Sequence, residues 1–388
     1  NHIQQGDRLE AGSVASRSSI TASPGLTLSR ARAVENAYSQ ICSGHLTTLS
    51  WLAEKLAERA TKDPFSSSSS LFTSISFSLL QLQRSPTLIK GSSFFFDGQL
   101  NLDRKRHDVT VMIAPHSHYA PVIRKGMGVA HHEMEDVDGS ISRFLREHTD
   151  DDPPSLKAVV LPRMNLCSLH ALSAQRIDKE MQPDEFEAHV CFILIRLLSA
   201  LKLLQADGID CLSSNFREFL LVYRIHSTGG IDDLPQLLFL SDALEQTSEE
   251  NGQDQVGLCR YALRALCTLL HHRMDVSVPR IANNSRHSNA LLAAAKTLHE
   301  DKGSSLSTAQ QLLELSLWGQ GSRVEGDFEA KMWLDVRRAE CVNQLLRCLA
   351  EESFGWEDRE SLRVDFLLST TPRALSSALS TLALTRFD

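Results

Sequence analysis

Eight consecutive residues in the middle of the chain carry the groups that chemistry uses: Cys211-Leu212-Ser213-Ser214-Asn215-Phe216-Arg217-Glu218. In phosphoryl transfer a loop of this kind is written H-R-D-L-x-x-x-N. Its Asp accepts the proton of the attacking hydroxyl and its Asn holds a metal ion. Laid on that frame, the His position is Cys211, the base position is Ser213 and the metal-Asn position is Glu218. A serine hydroxyl, with a pKa far above neutrality, cannot take the proton. The frame is there and the reagents are not, which points to binding and not to catalysis.

The flanking residues say what must position this loop. Phe186, Val190, Ile193, Leu197, Leu201 and Leu204 recur at three- and four-residue spacing and predict a long helix over 184–206. Gly208 stands where a helix stop sits, and Phe219 to Val222 predicts an apolar strand. Long apolar helix, polar loop and short strand is how a protein kinase presents its catalytic loop. Upstream, residues 71–114 are strand-rich: Phe72, Ile75 and Phe77 lead, and Thr87 to Ile89, Phe94 to Phe96 and Val109 to Ile113 follow. Turn signals fall at Lys90-Gly91 and Asp97-Gly98. Residues 115–156 are polar, with one helical patch at Ile141 to Arg146, and Val159 to Pro162 adds a strand. Helices are expected at 254–273, 287–300, 306–318, 327–352, 358–368 and 372–383. A few strands followed by many helices predict an α+β, bilobal protein-kinase-like fold, with a small β-rich N-lobe and a large helical C-lobe.

The nucleotide-handling positions are degenerate as well. No G-x-G-x-x-G occurs, and the strand that should carry V-A-I-K reads Val109-Thr110-Val111-Met112-Ile113, putting Met112 in the lysine position. Where strand and D-F-G should stand, the chain reads Leu237 to Leu240 and then Ser241-Asp242-Ala243-Leu244; only Asp242 survives, and it reads as a solvated loop carboxylate. The pairs His131-His132 and His271-His272 are adjacent residues, which do not face each other on a helix, so neither supports a metal site; a solvated loop or helix end is expected there. Ser213 lacks a G-x-S-x-G elbow. No cofactor and no metal are expected. The 388 residues are 42% hydrophobic and 23% charged, with net charge −8 and no basic run, so no nucleic acid is expected as a partner. The best apolar stretch, 190–204, contains Arg196 and Lys202, so no membrane insertion is expected, and no signal peptide is visible. Eight cysteines without a C-x-x-C fit reduced, buried thiols and a cytoplasmic location.

Two further regions flank this frame. Residues 1–26 are polar and predict a disordered lead-in, and 27–62 predict a helix with Val34, Tyr38, Ile41, His45, Leu49, Leu52 and Leu56 on one stripe. A break at Asp63-Pro64 and the serines 66–70 leave that stripe with nothing adjacent to cover it. Near the other end stand Leu315-Ser316-Leu317-Trp318-Gly319, Trp333-Leu334-Asp335-Val336-Arg337-Arg338-Ala339, Asp365-Phe366-Leu367-Leu368-Ser369-Thr370 and, earlier, Val278 to Leu292. These motifs resemble the PEAK/Pragmin family of pseudokinases, with Gln320 in place of the Pro after Trp-Gly and neither His nor Asp in the catalytic loop.

The resemblance implies a split helical dimerisation module, 27–62 with 319–388, forming a bundle beside a pseudokinase domain at 66–318. It implies a homodimer, or a heterodimer with family members, acting as a scaffold or adaptor in cytoplasmic tyrosine-kinase or cytoskeletal signalling. Signalling partners would dock through regions outside this chain. Interface candidates are Trp51, Leu52 and Leu56 on the first helix and Trp333, Val336, Leu345 and Leu349 on the later ones. Two alternatives stand beside it. One is an atypical active kinase holding metal on Asp242 and Glu218 and phosphate on Lys90 or Lys105; the other is a helical interaction module of another fold.

Overall fold

The runs Phe94-Phe95-Phe96, Val109 to Ile113 and Val159 to Leu161 lack the polar–apolar alternation of a sheet with one wet face, so the sheet they form must be covered on both sides. The computed structural model describes residues 24–60, 76–91, 93–102, 105–115, 132–148, 156–175, 182–225, 234–240, 255–271, 278–282, 285–319, 324–351 and 358–385. After the long helix α1 (Pro24–Ala60) come β1 (Leu80–Leu82), β2 (Leu88–Lys90), β3 (Ser93–Leu102), β4 (Lys105–Pro115), β5 (His132–Glu135), α2 (Ser140–His148) and β6 (Leu156–Pro162). The strands make one antiparallel sheet in the order β1-β3-β4-β6-β5, with β2 also on β3. Phe94, Phe96, Val109, Val111 and Ile113 pack with Ile141 and Leu145 of α2 on one face. Phe95, Met112, Ala114, Val159 and Leu161, the alternate residues, turn to the other face.

Two local expectations are corrected here. Asp97-Gly98 is not a turn but lies within β3, opposite Thr110 and Val109. Its glycine is explained by β1, since a Cβ at Gly98 would stand 2.8 Å from the Gln81 carbonyl oxygen. His132-Glu133 is not a loop but part of the edge strand β5, where Glu133 pairs with Lys157 of β6. Gly91, at φ +58, does turn the chain between β2 and β3. Phe72, Ile75, Pro64 and the serines 66–70 lie outside the described residues.

The large lobe follows as β7 (Met164–Cys167), α3 (Leu169–Gln175), α4 (Pro183–Ala206), β8 (Cys211–Ser213), β9 (Phe219–Arg224), β10 (Gln236–Phe239), β11 (Gln255–Gly257), α5 (Leu258–Leu269), α6 (Ser288–His299) and α7 (Ser305–Trp318). Helix α4 is its axis. Cys191, Leu194, Ile195 and Leu198 are buried along with the predicted stripe, so the helix is apolar nearly all round. Asp184 and Glu185 occupy its first turn after Pro183, where carboxylates meet the positive end of the helix dipole.

Helices α8 (Asp327–Ala350), α9 (Asp358–Ser369) and α10 (Pro372–Thr385) complete the chain and pack with α1. Their shared core holds Leu49, Leu52, Leu56, Leu334, Val342, Leu345 and Phe366. Arg338 is buried within it and donates to the carbonyls of Leu367 and Thr370, both at 2.9 Å, which serves two orphan carbonyls at the end of α9. Ala378 of α10 packs on Ala293 and Leu312, fastening the bundle to the large lobe. The unpartnered stripe of the first helix is therefore covered by its own chain. Leu52, Leu56 and Leu345 are 0%, 3% and 1% exposed, which removes all three as contacts for a second molecule. Leu52→Ala is expected to lower the unfolding free energy by about 2–5 kcal/mol, as deletion of a fully buried leucine does. Trp51→Ala, at a half-exposed site, is expected to stay within about 0.5 kcal/mol. Urea denaturation read by circular dichroism measures both.

Candidate functional site: the closed interlobe cleft

The loop that carries the candidate chemistry hangs between β8 and β9. Strand β8 pairs with β11 through Cys211↔Gly257 and Ser213↔Gln255, and β9 lies between β7 and β10. Cys211 thus serves a strand, half-buried. Ser213 and Glu218 meet: the Ser213 backbone N–H donates to the Glu218 carboxylate at 2.5 Å, and the Tyr261 hydroxyl of α5 donates to its other oxygen at 3.0 Å. The Leu240 N–H donates to the Glu218 carbonyl at 2.7 Å, tying the loop to the end of β10. The Ser213 hydroxyl donates to Asn215 Oδ1 at 2.8 Å and accepts from Arg217 Nε at 3.3 Å. The Ser213 hydroxyl and the Glu218 carboxylate are thus held by partners in and around the loop.

Phe216 takes the left-handed conformation, φ 58, a strained choice for a bulky residue. Packing holds it there: its ring is 1% exposed and meets Tyr261 edge-on at 5.1 Å and Phe219 at 6.3 Å. Glu218 is completely buried. Burial pushes its carboxyl above the usual range, and the Ser213 N–H and Tyr261 hydroxyl pull it part of the way back. The charge acting on it from the small lobe is Lys90, whose ammonium burial pushes down and Glu218 pushes up.

An apolar seam joins the two lobes. Met112, fully buried on the cleft face of β4, lies in one apolar cluster with Phe95, Ala114, Val159 and Leu161 above and Leu220, Val222, Leu238 and Leu240 below. Thr110 on the same face accepts from the Met164 N–H at 3.2 Å. A nucleotide's ring and phosphates need this volume and a cation within it. Asp242 lies outside the described residues, as does His131. Among the described residues no group of three or more His, Cys, Asp and Glu could hold a metal ion. Lys105 is exposed at the far start of β4, away from Met112.

The structure also separates the interface candidates. Trp51 and Val336 are 52% and 51% exposed, while Trp333 and Leu349 are half-buried. Phe328 and Met332, which the spacing of the motif residues did not single out, are exposed one and two turns before Val336 on α8, and form a stripe with it. Their signal was the i, i+4, i+8 spacing itself. All eight cysteines are free thiols, six of them buried. No described helix is long and apolar enough to cross a membrane.

No protein-family model matches this chain, and no curated protein matches it. Among solved structures it is similar to the crystal structure of the pseudokinase PEAK1 (Sugen Kinase 269), with a TM-score of 0.50 and 18% identity over 86% of this chain and 98% of that one. At that identity the likeness shows the fold, which is kinase-like with helical extensions.

The raised Glu218 carboxyl has a consequence for stability. A carboxyl that titrates higher in the folded chain than in the unfolded one makes the native state the better proton binder between the two values. Its contribution is then full below the unfolded value and is lost as pH rises through the folded one. Stability of the wild type relative to Glu218→Gln is therefore expected to fall as pH is raised above about 4.5. Urea melts of both proteins across pH 4–8 test this, and parallel profiles would refute it.

Proposed function

We propose that this chain is a catalytically inactive kinase fold that works as a dimeric scaffold or adaptor in cytoplasmic signalling. The observation that carries the reading is the apolar seam through the interlobe cleft, with Met112 where a nucleotide-binding kinase needs a lysine. The displaced-ligand alternative asks Glu218 to hold metal. Glu218 instead accepts from Ser213 and Tyr261 in the interior, and the solvent-facing lone pairs a metal needs are not offered. The small sheet supports the kinase-like reading over a purely helical module.

For dimerisation, Val336 from the expected set is joined by residues that the motifs did not name. Phe328, Met332 and Val336 expose 76%, 39% and 51% of their area along one stripe of α8, and the later Leu346 exposes 48%. A second copy covering these residues through a two-fold axis would bury each stripe twice in one contact. Tyrosine-kinase or cytoskeletal partners, and heterodimers with related chains, belong to the same proposal and would engage regions outside this sequence.

Two measurements test it. Magnesium or manganese with ATP is expected to leave the melting temperature unchanged, because a ligand with no site on the native state cannot stabilise it. A rise in melting temperature that grows with ATP concentration would overturn the inactive reading. In sedimentation over a wide concentration range the wild type is expected to dimerise, and Phe328→Glu/Val336→Glu to remain a folded monomer. A wild type that is monomeric throughout removes the dimer and leaves the inactive kinase fold.

A further inference from the structure

Trp318 and Trp333, two of the residues that make the carboxy-terminal motifs recognisable, do not take part in the cleft. They line a separate cavity of about 330 Å³ where the large lobe meets the bundle. Four arginines face into it, Arg286 from the start of α6, Arg337 from α8, and Arg359 and Arg363 from α9. They share its wall with one carboxylate, Glu360. In a chain whose net charge is −8, this is a local reversal of sign.

The guanidiniums are laid on rings. Arg359 sits over Phe192 at 4.9 Å and Arg337 over Trp333 at 5.6 Å. Phe192 meets Trp318 edge-on at 5.9 Å, and Trp318 lies against Phe366 at 5.6 Å. Three of the arginines also touch polar partners. Arg337 pairs with Glu340 at 2.7 Å, Arg363 with Glu360 at 3.5 Å and Gln344 at 3.2 Å, and Arg286 reaches Asp184 at 4.0 Å. Arg359 has no carboxylate partner among the described residues. The pairs of Arg337 and Arg286 are solvent-exposed and correspondingly weak.

We propose that this cavity is a binding site for a phosphorylated tyrosine side chain presented by a peptide. Each part of such a group has a counterpart. The phosphate finds several guanidinium forks, whose planar donors match its oxygens in pairs. The phenyl ring finds aromatic side chains in the wall, among them Trp318 and Trp333, for edge or offset contact. The volume sits at the low end of the range for ligand pockets, which suits one side chain better than a nucleotide. Recognition of phosphorylated motifs through clustered arginines is a general mode of peptide binding. The site lies away from the interlobe cleft and uses none of its residues, so it does not depend on that cleft being closed.

The test uses the full chain and a fluorescein-labelled peptide pool with a central phosphotyrosine flanked by degenerate positions. The unphosphorylated pool and a phosphoserine pool serve as comparisons, and binding is read by fluorescence anisotropy. Saturable binding is expected for the phosphotyrosine pool, at least about tenfold tighter than for either comparison and competed by phenyl phosphate. Arg337→Gln/Arg359→Gln, at a half-buried and an exposed position, is expected to weaken it by about tenfold to a hundredfold with an unchanged circular dichroism spectrum. Arg347→Gln, exposed on α8 outside the cavity, is expected to bind as the wild type does. Equal binding of all three pools overturns the proposal, as does competition by inorganic phosphate or ATP as effective as that by phenyl phosphate. A double variant that binds normally overturns it too.

Discussion

The small sheet is dry on both faces, and the rest of the molecule is arranged around that constraint. One face is covered by α2. On the other, among the described residues, Leu220, Val222, Leu238 and Leu240 of the large lobe rise to meet it. Each well-buried aliphatic or aromatic side chain in that seam contributes about 1.5–3 kcal/mol relative to exposure. A lysine at position 112 would put an ammonium among these apolar side chains, and a buried charge without a partner costs far more than one methionine contributes. Packing thus opposes a charged group at this point between the lobes. The seam also clamps the lobes together, because opening them would wet both of its walls.

Several buried polar groups follow the same logic and are held by partners, although Arg196 Nε, Arg264 Nε and Thr370 Oγ1 find none among the described residues. Glu187 of α4 accepts from the hydroxyls of Ser285 and Ser288, at 2.6 and 2.8 Å. His287, 1% exposed, lies 2.7 Å from the Ser316 hydroxyl of α7 and accepts from Arg286 Nε at 3.1 Å. Burial, with Arg286 beside it, pushes His287 down to about 4, so the ring is neutral at physiological pH and can accept while its other nitrogen donates. These contacts pin the segment before α6 against α4 and α7 at once. Arg286 is held at the lobe–bundle junction as a result, its position set by neighbours that are themselves locked.

How much of this was legible in the sequence depends on what kind of signal each element leaves. The helices from α4 to α10 have strong 3.6-residue periodicity, and their observed bounds match the predicted ones within a few residues. Strands β3, β4 and β6 were visible as apolar runs, and the runs also foretold two buried faces. Asp97-Gly98 misled because glycine marks a close approach of backbones as often as a turn, and only pairing with β1 shows which. The edge strand at His132 was hidden by its composition, since an edge facing solvent has little apolar content to betray it. At the loop, residue types alone set Ser213 and Glu218 apart from the Asp and Asn of the kinase pattern, but did not disclose that they would bond to each other. For Leu52, Leu56 and Leu345, periodicity showed that they must be covered and could not say by what; the covering partner lay nearly three hundred residues away in the same chain. The junction cavity was invisible for the same reason, because its arginines come from two helices and the turn before α6.

Beyond the interlobe seam the molecule presents outer surfaces, and these are shaped by how the bundle is attached. Trp318 ends α7 with its ring between Phe192 of the lobe and Phe366 of the bundle. Gly319 follows because any side chain there would press on the Leu315 backbone, with a Cβ 2.9 Å from its carbonyl oxygen. Arg196 of α4 reaches across to Asp358 at the start of α9 at 3.1 Å, and Gln236 of β10 donates to the same carboxylate at 3.3 Å. The bundle is therefore joined to the lobe by aromatic packing and by charge, both at the mouth of the arginine-lined cavity. A ligand bound there touches both bodies together. Whatever orientation of bundle and lobe favours that ligand is the orientation it stabilises, and by no more than its difference in affinity between the arrangements. The exposed stripe of α8 belongs to the same rigid helix as Trp333 and Arg337, so occupancy of the cavity and covering of the stripe act on one element. Any coupling between them must run in both directions with equal free energy.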